Sequence, residues 1–312
     1  MPLMHAVRIH AFGNPDVLEL DDIPVPTPTA HEIVIRVVAA SVNPIDYKIR
    51  SGKYPALRQE QLPKVLGRDV SGVVETVGAQ TTKFQKGDAV YAMLGRDVGG
   101  YAEYALATEN EAAPKPTTLN FVPAAAVPLA ALTAWQGLFK YGQMRAGQRV
   151  LIHGGAGGVG HFAVQFAKAR GAWVATTVSA EDIGMLKSLG AAQTIDYKHE
   201  KFEDAVQNID LVFDLIGGET QQRSWNVLKD GGTLISSVQR PDEKMAQARN
   251  IRAMNYMAAP NAQQLEEIAR LIDEGKVKPI VKATYTLADV ARAHRHMEND
   301  HIQGKVVLKV AA

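Results

Sequence analysis

The sequence predicts an α/β chain in which a partly closed antiparallel β barrel is joined to a doubly wound parallel sheet. Three observations carry that expectation. A short apolar run, Val150-Leu151-Ile152, breaks into the glycine loop His153-Gly154-Gly155-Ala156-Gly157-Gly158-Val159-Gly160. From about Pro123 onward, helical and extended patterns alternate, as βαβ units require. Ahead of that point the chain runs through many short β-rich segments divided by turn residues, the pattern of an antiparallel barrel.

The glycine stretch is the most specific of the three. It satisfies G-x-G-x-x-G at Gly155, Gly157 and Gly160. A lone match of that kind is weak evidence, and the flanking pattern supplies what it lacks. Val159, Phe162, Ala163, Phe166 and Ala167 recur at helical spacing up to Arg170, Gly171 stands where a helix C-terminal glycine belongs, and Trp173 to Val178 read as a second strand. One glycine permits the tight turn, a second lets a pyrophosphate approach the backbone, and a third packs helix on strand. The start of the helix then offers unpaired N–H groups and the positive end of its dipole to the phosphates. Five glycines in seven residues argue against an ordinary turn, since each costs about 1 kcal/mol relative to alanine where the backbone is regular.

Taken in order, Met4 to Ile9 and Val17 to Leu20 read as edge strands. Ile23-Pro24-Val25-Pro26-Thr27-Pro28 must be extended, because each proline fixes its own φ and disfavours helix before it. Ile33 to Val38 is a β-branched strand, Val70 to Val77 another, and Ala89 to Met93 a third, entered through Lys86-Gly87-Asp88. Tyr101 to Ala107 alternates as a strand after Gly99-Gly100. Beyond the glycine unit come a helix at Ile183 to Leu189, a short strand at Gln193 to Ile195 and a buried strand at Asp210 to Leu215. A helix at Thr220 to Leu228, a strand at Thr233 to Ser237 and a last strand at Arg252 to Met257 complete the sheet. Gln263 to Ile272 is an amphipathic helix with Leu265, Ile268, Ala269 and Ile272 on one face. Strand Ile280 to Tyr285, helix Leu287 to Met297 and strand Lys305 to Val310 have no room in the doubly wound sheet and are expected to return to the first domain.

Composition narrows the chemistry. A net charge of +1 gives no electrostatic case for nucleic acid or an anionic membrane. With no cysteine, disulfides, cysteine metal ligands and cysteine nucleophiles are excluded. The longest apolar stretch, Phe121 to Trp135, is too short to span a bilayer and contains Pro123 and Pro128. Met1-Pro2-Leu3-Met4-His5 lacks the basic and apolar regions of a signal peptide, so a soluble cytoplasmic protein is expected.

Several motifs recur in a familiar order: Ala40-Ser41-Val42-Asn43-Pro44-Ile45-Asp46-Tyr47, Gly67-Arg68-Asp69-Val70-Ser71-Gly72-Val73-Val74, Lys86-Gly87-Asp88-Ala89-Val90 and Thr133-Ala134-Trp135. They continue with the glycine loop, Leu189-Gly190-Ala191, Ile195-Asp196-Tyr197 and Gly304-Lys305-Val306-Val307-Leu308. Over nearly its whole length the chain resembles the medium-chain dehydrogenase/reductase superfamily, in its zinc-free quinone oxidoreductase (zeta-crystallin-like) branch. The resemblance implies a GroES-like, partly open β-barrel domain over 1–123 and 262–312. It also implies a Rossmann NADP-binding domain over 124–261, a cleft between the two, and a homodimer. Zinc-dependent relatives carry a cysteine near Asn43 and a histidine where Arg68 stands, and this chain has neither. His294 and His296 lie two apart, on different faces of a helix, and read as solvated surface histidines. No metal is expected, and without a Lewis acid the natural chemistry is reduction of an already activated acceptor.

The cofactor expectation is NADPH. NAD specificity usually needs an acid at the end of the second strand to hold the ribose 2′-OH. That end is Val178-Ser179, and the first acids, Glu181 and Asp182, fall inside the next helix, where Asp182 suits a capping box with Ser179. Ser179 with the helix start could bind a 2′-phosphate, or Ser179 could be a plain helix cap. In NADPH-dependent relatives a tyrosine matching Tyr197 lines that pocket; without the resemblance, packing is its default role. The family's usual lysine shortly after the serine is absent, and Ile183 is close to its place.

Among cofactor-binding residues the resemblance also implies Gly155, Gly157, Gly158, Val159 and Gly160 of the loop, Asn43, Thr133 at the nicotinamide end, Ile216 and Gly217 at the sheet's carboxyl edge, and Lys305. Thr133 reads equally as an ordinary helix residue, and Lys305 as a solvated lysine. For hydride transfer, charge that builds on the acceptor oxygen needs a donor. The candidates are Tyr47, whose phenol could donate its proton, and Asn43, which would fix the nicotinamide end or the substrate. Asp46 reads as a cap after Pro44. Three functions stand at this point: an NADPH-dependent quinone reductase, an enone or 2-alkenal double-bond reductase, and a nonenzymatic NADPH-binding sensor or structural protein.

Overall fold

The structure is a computed structural model that describes residues 2–54 and 57–310. The chain divides into two units, one of Met1–Leu129, Pro260–Gly275 and Pro279–Ala312, the other of Ala130–Ala259 and Lys276–Lys278. The first unit opens with strands β1 (Leu3–Ile9), β2 (Leu18–Pro24), β3 (Glu32–Val42), β4 (Lys64–Val65), β5 (Asp69–Val77), β6 (Ala89–Met93), β7 (Tyr104–Thr108) and β8 (Ala112–Pro114). The strand β3 carries six β-branched residues in eleven and is buried at both faces from Val37 onward except at Val38, as suits a central strand. It pairs antiparallel with β5 and, over its first half, with β7. Between β3 and β5 a helix, Pro44–Arg50, starts directly from the end of β3, with Pro44 at the first helical position, where its missing N–H costs nothing.

The second unit contributes β9 (Arg149–His153), β10 (Trp173–Val178), β11 (Gln193–Asp196), β12 (Ile209–Asp214), β13 (Leu228–Ser236) and β14 (Arg252–Asn255). They form one sheet of order β11-β10-β9-β12-β13-β14, with every pairing parallel. The order reverses between β9 and β12, and that switch point is where such sheets bind ligands, at the carboxyl ends of the strands. The apolar character of Val150, Leu151 and Ile152 follows from burial on both faces. Leu151, Val212 and Leu234 meet Trp225 and Phe202 in a single apolar cluster. Each such side chain contributes roughly 1.5–3 kcal/mol on full burial.

The chain then returns to the first unit with β15 (Val281–Thr286) and β16 (Lys305–Lys309). Strand β16 pairs antiparallel with β3, while β15 and β16 run parallel, a mixed element within an otherwise antiparallel sheet. Val306 and Leu308 join Ile35, Val37, Val70 and Val90 in the first unit's core.

Several elements differ from the sequence expectation. Phe121 to Trp135, an undivided apolar stretch by composition, forms two helices, Phe121–Ala125 and Pro128–Trp135, because Pro128 cannot continue the first and opens the second. The helix expected at Thr220 to Leu228 spans Gly218–Ser224, and Leu228 already begins β13. The strand expected from Tyr101 starts at Tyr104, and Tyr101 is wholly buried ahead of it.

Candidate active site

In the second unit, backbone geometry gives the three motif glycines different work. A Cβ on Gly155 would lie 2.1 Å from Thr176 Oγ1, and one on Gly160 would lie 2.1 Å from the Gly154 carbonyl oxygen. Those two glycines are required by close packing of strand and helix. A Cβ on Gly157 would meet only the Gly154 oxygen at 3.5 Å, an ordinary contact, so it would point into open space. That is the cradle a pyrophosphate needs, and it fits a dinucleotide. Gly158 and Val159 are half-buried in the same turn, and Gly160 opens the ten-residue helix Gly160–Ala169, long enough for its N-terminal N–H groups to act together on an anion.

The loop is held from beneath. Thr177 Oγ1 accepts from the Gly154 N–H at 3.2 Å and lies 3.1 Å from His153 Nδ1, while His153 Nε2 lies 3.0 Å from Ser224 Oγ. Ser224 in turn donates to the Thr220 carbonyl at 2.6 Å, so the ring donates at Nε2 and accepts at Nδ1. Burial drives the His153 pKa down to about 4. On the other side of the switch point, Asp214 Oδ1 accepts from the N–H groups of Ile216 and Gly217, and its Oδ2 accepts from Gln221 and Ser236. These bonds hold the turn that leaves β12, where Gly217 has φ of 79° and Ile216 is exposed. Ile216 stands beside Gly154.

At the ends of β10 and β11, Tyr197 donates its backbone N–H to Val178, which brings it next to Ser179. Tyr197 is exposed and Lys198 places its ammonium 5.9 Å from the ring centre. Ser179 is buried, and its hydroxyl donates to Asp182 at 2.9 Å. Thr133 is buried too. Its carbonyl accepts from the Tyr256 hydroxyl at 2.5 Å, just ahead of a wide turn in which the Gly142 N–H reaches back five residues to Gly137.

In the first unit, β3 delivers Asn43 and Tyr47 to the helix Pro44–Arg50. The Asn43 backbone N–H donates to Asp46 Oδ2 at 2.8 Å, the reach-back half of a capping box. Asp46 is fully buried, also accepts from the Tyr101 hydroxyl at 2.9 Å, and leaves Oδ1 without a partner among the described residues. Burial pushes its pKa up to about 6 against the bonds from Asn43 and Tyr101. Tyr101 continues to His294 Nε2 at 3.3 Å, His294 Nδ1 to Arg50 at 3.3 Å, and Arg50 to Glu298 at 2.8 Å. Tyr47 is half-buried, and burial, helped by Glu298, raises its pKa, so its phenol is a neutral donor. Arg68 donates Nε to the Leu94 carbonyl at 2.6 Å.

Two expectations need correction here. His294 is not solvated: it is buried, with its pKa held at about 3 by burial and by Arg50. The two histidines do lie on different faces. His294 falls on the inner face with Val290 and Ala293, while His296 lies outward against the Tyr285 hydroxyl at 2.9 Å. Arg50, far away in sequence, gives the inner one its buried partner. Nor is Lys305 solvated. Its ammonium is buried against Val42, Asn43 and Asp69. Asp69 is the buried partner that sequence reasoning missed. Its signal was a carboxylate at the start of an apolar strand, Asp69-Val70-Ser71-Gly72-Val73-Val74, a charge that demands a partner.

Two buried histidines, His153 and His294, contribute to acid stability. Each holds fewer protons folded than unfolded, so its contribution is complete above pH 6.5 and is lost as pH falls toward about 4 for His153 and about 3 for His294. By pH 4 the loss is about 3 kcal/mol for each. Asp46 acts in the opposite sense between 3.8 and about 6, because its folded form takes up a proton first. Thermal denaturation should therefore show Tm falling from pH 7 to pH 4, with a shallower slope in His294→Gln and a steeper one in Asp46→Asn. A slope unaltered by both substitutions would contradict these assignments.

A glycine cradle at the switch point of a parallel sheet, in one chain with a GroES-like sheet, defines a class, the pyridine-nucleotide-dependent oxidoreductases. Residues 29–117 match the alcohol dehydrogenase GroES-like domain family, and residues 189–308 match the zinc-binding dehydrogenase family. The chain is 33% identical to a quinone oxidoreductase of Mus musculus, over 98% of each chain. It is 37% identical to the chloroplastic NADPH-dependent alkenal/one oxidoreductase of Arabidopsis thaliana, over 95% of this chain and 77% of that one. A solved quinone oxidoreductase from Coxiella burnetii superposes with a TM-score of 0.92 at 36% identity, covering 99% of this chain and 100% of the other. The chain belongs to the medium-chain dehydrogenase/reductase superfamily, in its quinone oxidoreductase (zeta-crystallin-like) branch. Among the described residues, no helix is long and apolar enough to cross a membrane.

Proposed function

We propose that this protein is an NADPH-dependent quinone oxidoreductase that works without zinc. The observation that carries the reading is the open glycine cradle at Gly157, supported in the first unit by hydrogen-bonded Asn43 and Arg68 where the resemblance puts a zinc relative's cysteine near Asn43 and its histidine at Arg68. Neither side chain is a zinc ligand by chemistry: an amide oxygen is a weak donor and a guanidinium is none. When bound, reduced nicotinamide supplies a hydride from C4. The residues do the rest. Gly155, Gly157, Gly158, Val159 and Gly160 receive the pyrophosphate. Thr133, Ile216 and Gly217 sit at or near the sheet's carboxyl edge for the nicotinamide end. Asn43 orients the acceptor or nicotinamide, and Tyr47 supplies a proton.

For the adenosine end, Tyr197 and Lys198 offer an exposed ring and a cation beside the start of the helix after Ser179. At the end of β10, Asp182 is buried and accepts from Ser179, while Glu181 is exposed with a carboxylate oxygen 3.4 Å from Ser179 Oγ. Tyr197, Lys198 and the helix N–H groups are what suit a 2′-phosphate there, and Ser179 holds the turn. The relative's NADPH dependence supports the same choice. The reading carries with it a cytoplasmic homodimer acting on small molecules, supported by the family resemblance.

The decisive experiment follows NADPH oxidation with a small quinone, with an enone and with no acceptor. Quinone-dependent oxidation is expected. A preference for the enone would favour the second reading, an alkenal or enone reductase, which the 37% identical relative motivates. No oxidation with either acceptor would overturn both. Elemental analysis of the purified protein should find no stoichiometric zinc, and activity should survive chelators. One tightly held zinc per chain would contradict the zinc-free chemistry.

A further inference from the structure

Lys305 lies in β16 with its side chain 3% exposed. Its ammonium has three hydrogens and three acceptors: the Val42 carbonyl at 3.3 Å, Asn43 Oδ1, and Asp69 Oδ2 at 3.5 Å. Asp69 is as fully engaged. Its Oδ2 accepts from Ser41 Oγ at 2.6 Å and Asn43 Nδ2 at 2.8 Å, and its Oδ1 accepts from the Leu129 N–H at 2.7 Å. A buried ammonium is costly unless it is paired and fully bonded, and here it is both. Burial pulls the Lys305 pKa down, while Asp69 and Asp46 pull it back up.

The trio dictates the orientation of Asn43. A lysine only donates and a carboxylate only accepts, so Oδ1 must face Lys305 and Nδ2 must face Asp69. One Nδ2 hydrogen is spent on Asp69, and the other has no acceptor among the described residues. The backbone of Asn43 is held as well, by Asp46. A positive charge on the amide oxygen draws density from the nitrogen and strengthens the remaining N–H as a donor.

We propose that Lys305 is a positioning residue for the reduction, one that fixes and polarises the Asn43 amide so that its spare N–H binds the oxygen on which charge develops. This rests on the hydride chemistry proposed above. The acceptor gains a hydride at carbon, its π electrons move onto oxygen, that oxygen is held by Asn43, and a proton from Tyr47 or water completes the product while the cofactor leaves oxidised. Lys305 thus brings a fixed positive charge to the residue that stands near a zinc relative's cysteine. Its ammonium is not a ligand for a cofactor phosphate.

Three measurements test this on the full chain: NADPH titration, single-turnover hydride transfer to an enone and to a quinone, and thermal denaturation without cofactor. Lys305→Met should slow hydride transfer to the enone on the order of 10-fold and to the quinone by less, with NADPH affinity unchanged. Because Lys305→Met strands the buried Asp69 carboxylate and so threatens the fold of the unit, Lys305→Met/Asp69→Asn is the second variant. It should recover the melting temperature and remain slow. A loss of NADPH affinity with an unchanged saturating rate would make Lys305 a cofactor ligand and overturn the proposal. A stable double variant with the parent's hydride rate would make the lysine purely structural and overturn it equally. Failure of the parent protein to reduce either acceptor would instead overturn the functional reading, and this proposal with it.

Discussion

Gly157→Val is expected to weaken NADPH binding on the order of 100-fold, about 3 kcal/mol, while the protein stays folded. The asymmetry follows from the loop. Gly157 is not among the glycines with positive φ, and a Cβ there touches nothing closer than 3.5 Å. The added methyl groups meet only what would occupy the cradle. Placed at Gly155 or Gly160, the same side chain drives a Cβ to 2.1 Å from Thr176 or from the Gly154 carbonyl, so those variants should lose stability before they lose affinity. Fluorescence titration with NADPH, read beside thermal denaturation, separates the two outcomes. Normal NADPH binding by folded Gly157→Val would remove the cofactor site from this loop.

Tyr47→Phe is expected to lower hydride transfer to an enone on the order of 100-fold, the usual cost of losing one donor to a developing oxyanion in a dry site. NADPH affinity should change little. Burial and Glu298 raise the Tyr47 pKa, so the phenol keeps its proton throughout the neutral range. The loss should be smaller for a quinone, whose reduced oxygens are stabilised by the ring, than for an enone, whose enolate is more basic. Single-turnover kinetics with deuterated NADPH isolates the hydride step. Unchanged transfer to both acceptors would leave Tyr47 as part of the wall and hand the proton to water. Lys305→Met should share the acceptor dependence of Tyr47→Phe, because both weaken stabilisation of the same oxygen.

The glycine loop and the parallel sheet around it were legible in the sequence because each rests on short-range pattern, and the last strands were expected back in the first domain because the doubly wound sheet had no room for them. A tight turn, an open approach for phosphate and a helix packed on its strand are demands on residues within one loop. Apolar runs of four to six residues betray strands buried on both faces. The same locality explains the errors at Thr220 to Leu228 and at Tyr101, where propensity overran a boundary that strand pairing decides.

Determined by the sequence alone are the class of fold, the absence of cysteine chemistry and the dinucleotide loop. The tertiary structure alone decided what the buried charges do. Lys305 meets Asn43 across 262 residues and Asp69 across 236, and Arg50 meets His294 across 244. No periodicity links such positions, so the sequence read His294 as solvated, the commonest state of a lone titratable side chain, and left Lys305 equally near the cofactor or solvated. Burial reverses that default. An ionised or polar group taken out of water must find its complement in space, and only the folded chain specifies which distant residue supplies it.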